Sequence, residues 1–428
     1  MSTTKNETVT VAESSTTTSL EARVRRGHSQ SVTEEFKGYL GVLRSGNMGS
    51  LPAVAGLILL TILFSALSPV FFTRLNFANL LEQAAPLIVL AMGLVFTLLL
   101  GEIDLAAGVT SGLTSALLVV AMAHAGLNWW LASVVAILAG VLIGLGIGLL
   151  VSKVGIPSFI VTLAAFLAFQ GLQLMVIGQG GLYRVSSSEL LSLENGNLPP
   201  AIGWLLAALV LIGTLGAKLN ERRRRIARGH VSQPLSAVLS RLGILAVALL
   251  VCVFLLNQNR SMNPMFSVRG VPVVVVVVAV LFLIGATLLQ RTKFGLHIYA
   301  VGGNAEAARR AGIPVANLRT LVFVIGSGLA AVSGILTASR IGSVDASAGR
   351  TIVLNGVAAA VVGGVSLFGG RGKLKDAIIG GLVIAVIENG LGLLGLPSGL
   401  NLAITGAVLL LAATADALSR KHGSARPR

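Results

Sequence analysis

The amino-acid sequence predicts an all-α polytopic membrane protein with about twelve transmembrane helices, ten at the fewest. Three observations carry that prediction. Of 428 residues, 54% are hydrophobic and 11% charged, with a mean hydropathy of +0.89; a water-soluble domain spends about a quarter of its residues on charge. The apolar residues fall into blocks of roughly 17–23, which at ~1.5 Å per residue match a hydrocarbon layer of ~30 Å. The basic residues sit in the short polar stretches between those blocks, with none from Arg74 to Lys153.

These numbers also exclude function classes. One cysteine, Cys252, rules out a disulfide framework, a zinc-thiolate site and an iron–sulfur protein. It sits in an apolar block and reads as a small packing residue. The net charge of +16 could suggest nucleic acid, but its concentration in inter-block loops points to membrane orientation instead. No nucleic-acid partner is expected.

In chain order, residues 1–50 read as a cytoplasmic polar tail, partly disordered, because the first apolar run opens only at Leu51. A transmembrane domain fills 51–420. Its apolar segments lie at 52–68, 79–100, 105–123, 129–151, 157–177, 201–219, 240–256, 271–289, 319–338, 352–368, 374–395 and 400–418. All are predicted as helices, since lipid satisfies no backbone N–H or C=O. Val273–Val278 would suggest a strand in water; block length decides for helix. Residues 421–428 form a basic cytoplasmic tail. With both termini inside, 26 of the 32 Lys and Arg residues fall on cytoplasmic segments. That asymmetry follows the positive-inside rule. Gly140, Gly144 and Gly148 form a small-residue ridge for close helix packing.

No soluble catalytic constellation is visible. The five histidines are scattered, and no Walker A pattern offers an ATP site. Ionisable residues at membrane depth mark functional paths. The candidates are Glu82, Glu102, Asp104, Asp376, Glu388 and Asp416. Glu388 is deepest by position, and with Asn389 it is a candidate for a translocation path. Glu102 and Asp104 are candidates too. They lie between two apolar segments, in either a tight turn or a helix break at depth.

The cytoplasmic stretch 291–318 differs in kind. Asn304 can cap a helix, Glu306 suits its first turn, and Arg309 and Arg310 suit its last. Gly312 stops it and Pro314 prevents continuation. A helix of about two turns is unstable alone, so it reads as a docking element or as an ordinary connector.

Here Phe294 to Asn304, with Glu306-Ala307-Ala308-Arg309 and Gly312-Ile313, resembles the coupling loop of ribose- and xylose-type permeases. Those are the membrane subunits of bacterial ATP-binding-cassette sugar importers. Gly101-Glu102-Ile103-Asp104-Leu105 and Gly363-Gly364-Val365-Ser366-Leu367-Phe368-Gly369-Gly370 are similar to that family's motifs in the same order. So is the end, from Asn389-Gly390 to Asp416. The extra pair at 201–256, with Arg222–Arg225 in a basic loop, looks like the xylose branch. Glu388 and Thr405 depart from the usual family residues and leave the substrate open.

The resemblance implies a permease subunit in a bacterial cell membrane, translocating a monosaccharide, D-xylose first or another pentose. It implies a second permease copy or close relative, a cytoplasmic ATPase and an extracytoplasmic sugar-binding protein. ATP and Mg would be bound by the ATPase, with no cofactor in this chain. Gly303, Asn304, Glu306, Ala307, Arg309, Arg310 and Gly312 would form the ATPase-coupling loop. The alternative is an ion-coupled secondary sugar carrier, which would need paired membrane carboxylates.

Overall fold

The computed structural model describes residues 50–228 and 235–407, apart from 262, 264 and 398, with 410 and 414 beyond. The tails expected at 1–50 and 421–428 thus lie, but for Ser50, outside the described residues.

The helices are α1 (Leu51–Leu67), α2 (Arg74–Leu99), α3 (Ala107–Ala123), α4 (Trp129–Leu149), α5 (Ser158–Ile177), α6 (Ser188–Asn195), α7 (Pro200–Ala227) and α8 (Leu235–Asn257). After them come α9 (Val273–Arg291), α10 (Lys293–Gly303), α11 (Ala305–Arg310), α12 (Val315–Ile341), α13 (Ile352–Gly363) and α14 (Leu374–Leu393). Two three-residue strands, β1 (Leu182–Arg184) and β2 (Ser343–Asp345), pair antiparallel with Tyr183 opposite Val344. They are a small exception to the all-α prediction.

Among the described residues, eight helices are long and apolar enough to cross a membrane, and α1, α3 and α13 are shorter apolar helices. The last predicted segment, 400–418, is helical to 407 and otherwise mostly outside the described residues. The valine run is helical in α9, as the lipid argument requires.

The chain divides into two compact units. Ala201–Leu255 forms one. Here α7 runs on through Arg222–Arg225 to Ala227, so the basic run lies on helix where a loop was expected. Glu221 explains the extension: it pairs with Lys218 at 3.1 Å and Arg225 at 2.9 Å, at helical spacing.

The larger unit holds the other helices, built on α2 and α12. Every residue of α2 from Ala84 to Leu99 is buried. Gly140, Gly144 and Gly148 of α4 lie against the α12 backbone. A methyl at 148 would stand 2.8 Å from Thr320 Cα, and one at 140 would stand 2.7 Å from the Ser327 carbonyl oxygen. Leucines at 138, 142 and 145 point outward from the same helix, as lipid contact requires. α4 then widens into a π-helical turn at Leu150–Val154, closed by left-handed Gly155.

Two interruptions break the helical pattern. Leu100–Ala106 is non-helical, a seven-residue interruption between α2 and α3. α13 has only 12 residues, about 18 Å, too short to cross the layer. It ends where Gly364 turns left-handed, and Gly369, Gly370 and Gly372 keep positive φ before α14.

Candidate functional site

The larger unit carries two groups of polar residues at opposite ends of α12. From Arg319 to Arg340 is 21 residues, about 32 Å.

At the Arg319 end, α10 and α11 form a helix–cap–helix element. Thr292 caps α10, accepting from Gly295 N–H at 3.3 Å. Asn304 closes α10 and opens α11, its Oδ1 accepting from Ala307 N–H at 2.9 Å. Gly312, at φ +82, ends α11. There Ile313 N–H bonds Ala308 O at 3.1 Å and Gly312 N–H bonds Arg309 O at 3.0 Å, the paired bonds of a Schellman stop. Ala308 is buried with Leu99, Val301, Val315 and Val365. Glu306 faces water, pairing with Arg309 at 3.2 Å and Arg310 at 3.1 Å.

This element sits on both helix interruptions. Gly370 N–H bonds the Leu99 carbonyl at 2.8 Å, and Tyr299 Oη donates to Gly372 O at 2.8 Å. Burial, with the Asp376 carboxylate nearby, pushes the Tyr299 phenol above its ordinary range, so it remains a donor. Gly302 packs so tightly that a methyl there would run into the Leu99 carbonyl oxygen and stand 2.6 Å from Gly370 N. Gly303 faces open space.

The residues at 100–106 are held by side chains. Glu102 is buried and pairs with Arg319 at 2.8 Å. Asp104, 1% exposed, accepts from Ala106 N–H at 2.9 Å at the start of α3. Ser158 Oγ accepts from Ile103 N–H at 3.2 Å and Thr162 donates to Ile103 O at 3.2 Å. Asp376 likewise opens α14, accepting from Lys373 N–H at 2.7 Å.

At the Arg340 end lie Glu388 and Asn389 of α14. Asn389 and Asn76 exchange amide bonds of 2.8 and 3.0 Å, and Asn389 also donates to Gln83 at 3.3 Å. Glu388 Oε1 accepts from Asn355 of α13. Arg340 interacts electrostatically with Glu82, Glu194 and Glu388. Arg260 is buried, its guanidinium bonding Leu256 O at 2.6 Å, Gly270 O at 3.0 Å and Asn197 Oδ1. Those bonds close the point where the chain leaves and re-enters this unit, beside Leu198 N–H to Val271 O at 2.9 Å.

The structure therefore puts Glu102 and Asp104 near the α10–α11 element, and Glu388 and Asn389 toward the other end. Asp416 lies outside the described residues. Sequence reasoning did not single out Tyr299, Gly302, Arg319 or Asn355. Their partners are 73, 68, 217 and 33 residues away, and no local signal encodes such pairings. Among the described residues, no three His, Cys, Asp or Glu side chains gather as metal ligands would.

Residues 76–413 match the family described as "Branched-chain amino acid transport system / permease component". The chain belongs to this permease family. It is 34% identical over 383 residues to the xylose transport system permease protein XylH of Escherichia coli K12, covering 89% of this chain and 94% of XylH. The ribose import permease protein RbsC of Bacillus subtilis 168 is 32% identical over 371 residues, covering 87% and 94%. RbsC of Escherichia coli K12 is 29% identical over 366 residues, covering 85% and 92%. No solved structure matches. The likeness to xylose- and ribose-type permeases read from short motifs thus extends over most of the chain. This is a multi-pass protein of the bacterial inner membrane and a transport component.

Proposed function

We propose that this chain is the membrane-spanning subunit of an ATP-binding-cassette importer for a monosaccharide, D-xylose or another pentose, handed over by a substrate-binding protein. Two permease copies and two ATPase subunits would make the transporter, with ATP and Mg held by the ATPases. Both termini would be cytoplasmic, with about twelve spans. The xylose and ribose permeases among the relatives support the substrate class.

The observation that carries the reading is the α10–α11 element. Its apolar side is buried on the bundle while Glu306, Arg309 and Arg310 face water, as a partner's groove would need. Its backbone is wedged against Leu99 and Gly370. Closure of the ATPases on ATP would drag α11. The wedge would pass that displacement to both interruptions and shift the bundle between two packings a few kcal/mol apart. Glu102 and Asp104 would hold the inner end of the path, and Glu388 and Asn389 would line it toward the outer end.

The test is reconstitution in liposomes with the ATPase and binding protein. Xylose uptake that needs ATP and is indifferent to proton or sodium gradients supports the importer. Uptake by the permease alone, driven by a gradient, would establish a secondary carrier instead.

A further inference from the structure

The glycine-rich motif at 363–372 closes into a tight loop with an aromatic ring at its tip. Ser366 N–H bonds Arg371 O at 2.9 Å, Gly369 N–H bonds Ser366 O at 3.3 Å, and Phe368 N–H donates to Ser366 Oγ at 3.2 Å. Positive φ at Gly369, Gly370 and Gly372 lets the chain turn this sharply. The Phe368 backbone is thus held in place, yet the residue is 89% exposed, more than any other large hydrophobic among the described residues. Leu367 beside it is exposed too. Phenylalanine is a residue that folds usually bury. The wedge at Gly302 uses the backbone of this loop and leaves the ring without a role.

Close contacts place the tip of the loop beside α11. A methyl at Gly369 would stand 2.9 Å from the Gly302 carbonyl oxygen, and one at Gly370 would stand 3.1 Å from Gly303 N. Gly303 ends α10, and Asn304 then caps α11. On the other side, a methyl at Gly101 would lie 3.6 Å from the Phe368 carbonyl oxygen. The tip therefore sits between the interruption after α2 and the junction of α10 with α11. Arg371, Lys373 and Lys375 follow within seven residues, all exposed, and Glu306 faces water just beyond Asn304. Charges avoid the hydrocarbon layer, so the ring stands outside it. Aromatic belts at the membrane surface use Trp and Tyr, whose polar edges suit headgroups; a phenyl ring has none.

Continuity with α11 indicates the occupant. An aromatic side chain on a backbone already fixed loses little freedom on binding and buries a large apolar area, the pattern of an interface anchor. The exposed charges that follow it, Arg371, Lys373 and Lys375, are all positive, so a pocket receiving the ring needs carboxylates on its rim. α11 by itself is six residues long, a small contact about which a partner could swivel. A second anchor on a separate loop fixes the partner's tilt. It also ties the partner directly to the linker between α13 and α14, which α11 reaches only through the Gly302 wedge.

We propose that Phe368 is a second docking anchor for the ATPase, inserted into an apolar, acid-rimmed pocket next to the groove that takes α11. This rests on the reading of the chain as the permease of an ATP-binding-cassette importer.

The test uses the full importer, permease with ATPase and binding protein, in liposomes with D-xylose. A photoreactive Phe368→p-benzoylphenylalanine variant should cross-link to the ATPase on irradiation. Cross-linking only to lipid, or only to a second permease copy, overturns the anchor. Phe368→Ser should weaken ATPase binding about tenfold or more and lower sugar-stimulated hydrolysis. The melting temperature of the permease alone should stay at the wild-type value, because so exposed a ring packs on little of its own fold. Phe368→Leu should recover part of the lost affinity by restoring apolar area. Unchanged ATPase affinity in Phe368→Ser overturns the anchor. Should Phe368→Ser fail to insert, or melt below wild type, the cross-link decides. If wild type neither binds the ATPase nor takes up sugar on ATP, the permease reading itself fails, a distinct result.

Discussion

Arg319 Nε stands 2.8 Å from Glu102 Oε1, joining the start of α12 to the break between α2 and α3 across 217 residues of sequence. Glu102 is buried and Arg319 about a third exposed. Removing one member of a buried pair strands the other charge, which costs roughly 3–5 kcal/mol when both are enclosed. Arg319's exposure puts this pair at or below the low end. Glu102→Gln and Arg319→Gln should each lower the melting temperature and the sugar-stimulated ATPase rate. The double variant should lose less than the sum, because neither charge is then stranded. Additive losses would show that the pair is not coupled.

Adjacent glycines should respond oppositely to one methyl. Gly302→Ala drives a Cβ into the Leu99 carbonyl, whereas Gly303→Ala meets nothing within 4 Å. The first should destabilise the protein and reduce uptake. The second should leave both near wild type, or slightly improve helix stability. Thermal unfolding and uptake of the two variants check this, and equal behaviour would contradict the wedge.

Residues in α11 separate docking from folding. Glu306→Lys breaks two exposed ion pairs worth at most about 1 kcal/mol each, so the fold should survive. If α11 docks the proposed ATPase, the change reverses charge on the docking face, so ATPase co-purification should drop. Gly312→Val meets no neighbour, but forces φ +82 on a β-branched residue, costing about 1–2 kcal/mol or more. It should loosen α11 and lose both ATPase binding and sugar-stimulated hydrolysis. Retention of both activities in both variants would make α10–α11 a mere connector.

The parts legible in advance were those encoded locally. Asn304 and Gly312 bound α11 because caps and left-handed stops depend on neighbours within four residues. The valine run of α9 was legible because the solvent, not the propensity, decides it. The half-length of α13 was not. Apolar composition continues to Phe368, and only the glycine conformations after Gly363 end the helix. α10 escaped notice because its glycines lower helix propensity, while its stability comes from Ile298 and Val301 packing on Leu99 and Leu100. Pairings such as Glu102–Arg319 and Asn76–Asn389 join distant helices, and hydropathy carries no information on partners.

Glu194 makes stability depend on pH. It lies on α6, whose Glu194 N–H bonds Ser339 Oγ at 3.1 Å, and burial raises its carboxyl to about 9 from an ordinary 4.5. The unfolded chain ionises near the ordinary value while the folded protein still holds the proton. Between those values the unfolded state therefore binds fewer protons, and stability falls as pH rises. Below about pH 4.5 both states are protonated and this penalty vanishes. Above about pH 9 both are ionised and the penalty is complete. Glu194→Gln keeps the neutral shape without the titration. Its melting temperature should exceed wild type by several degrees at pH 8 and by little or nothing at pH 5. Uptake at pH 7 should be retained, since the amide stands in for the protonated acid. Thermal unfolding of both proteins in detergent at the two pH values measures it. An equal offset at both would mean that Glu194 is already ionised in the fold, with Arg340 close enough to neutralise it.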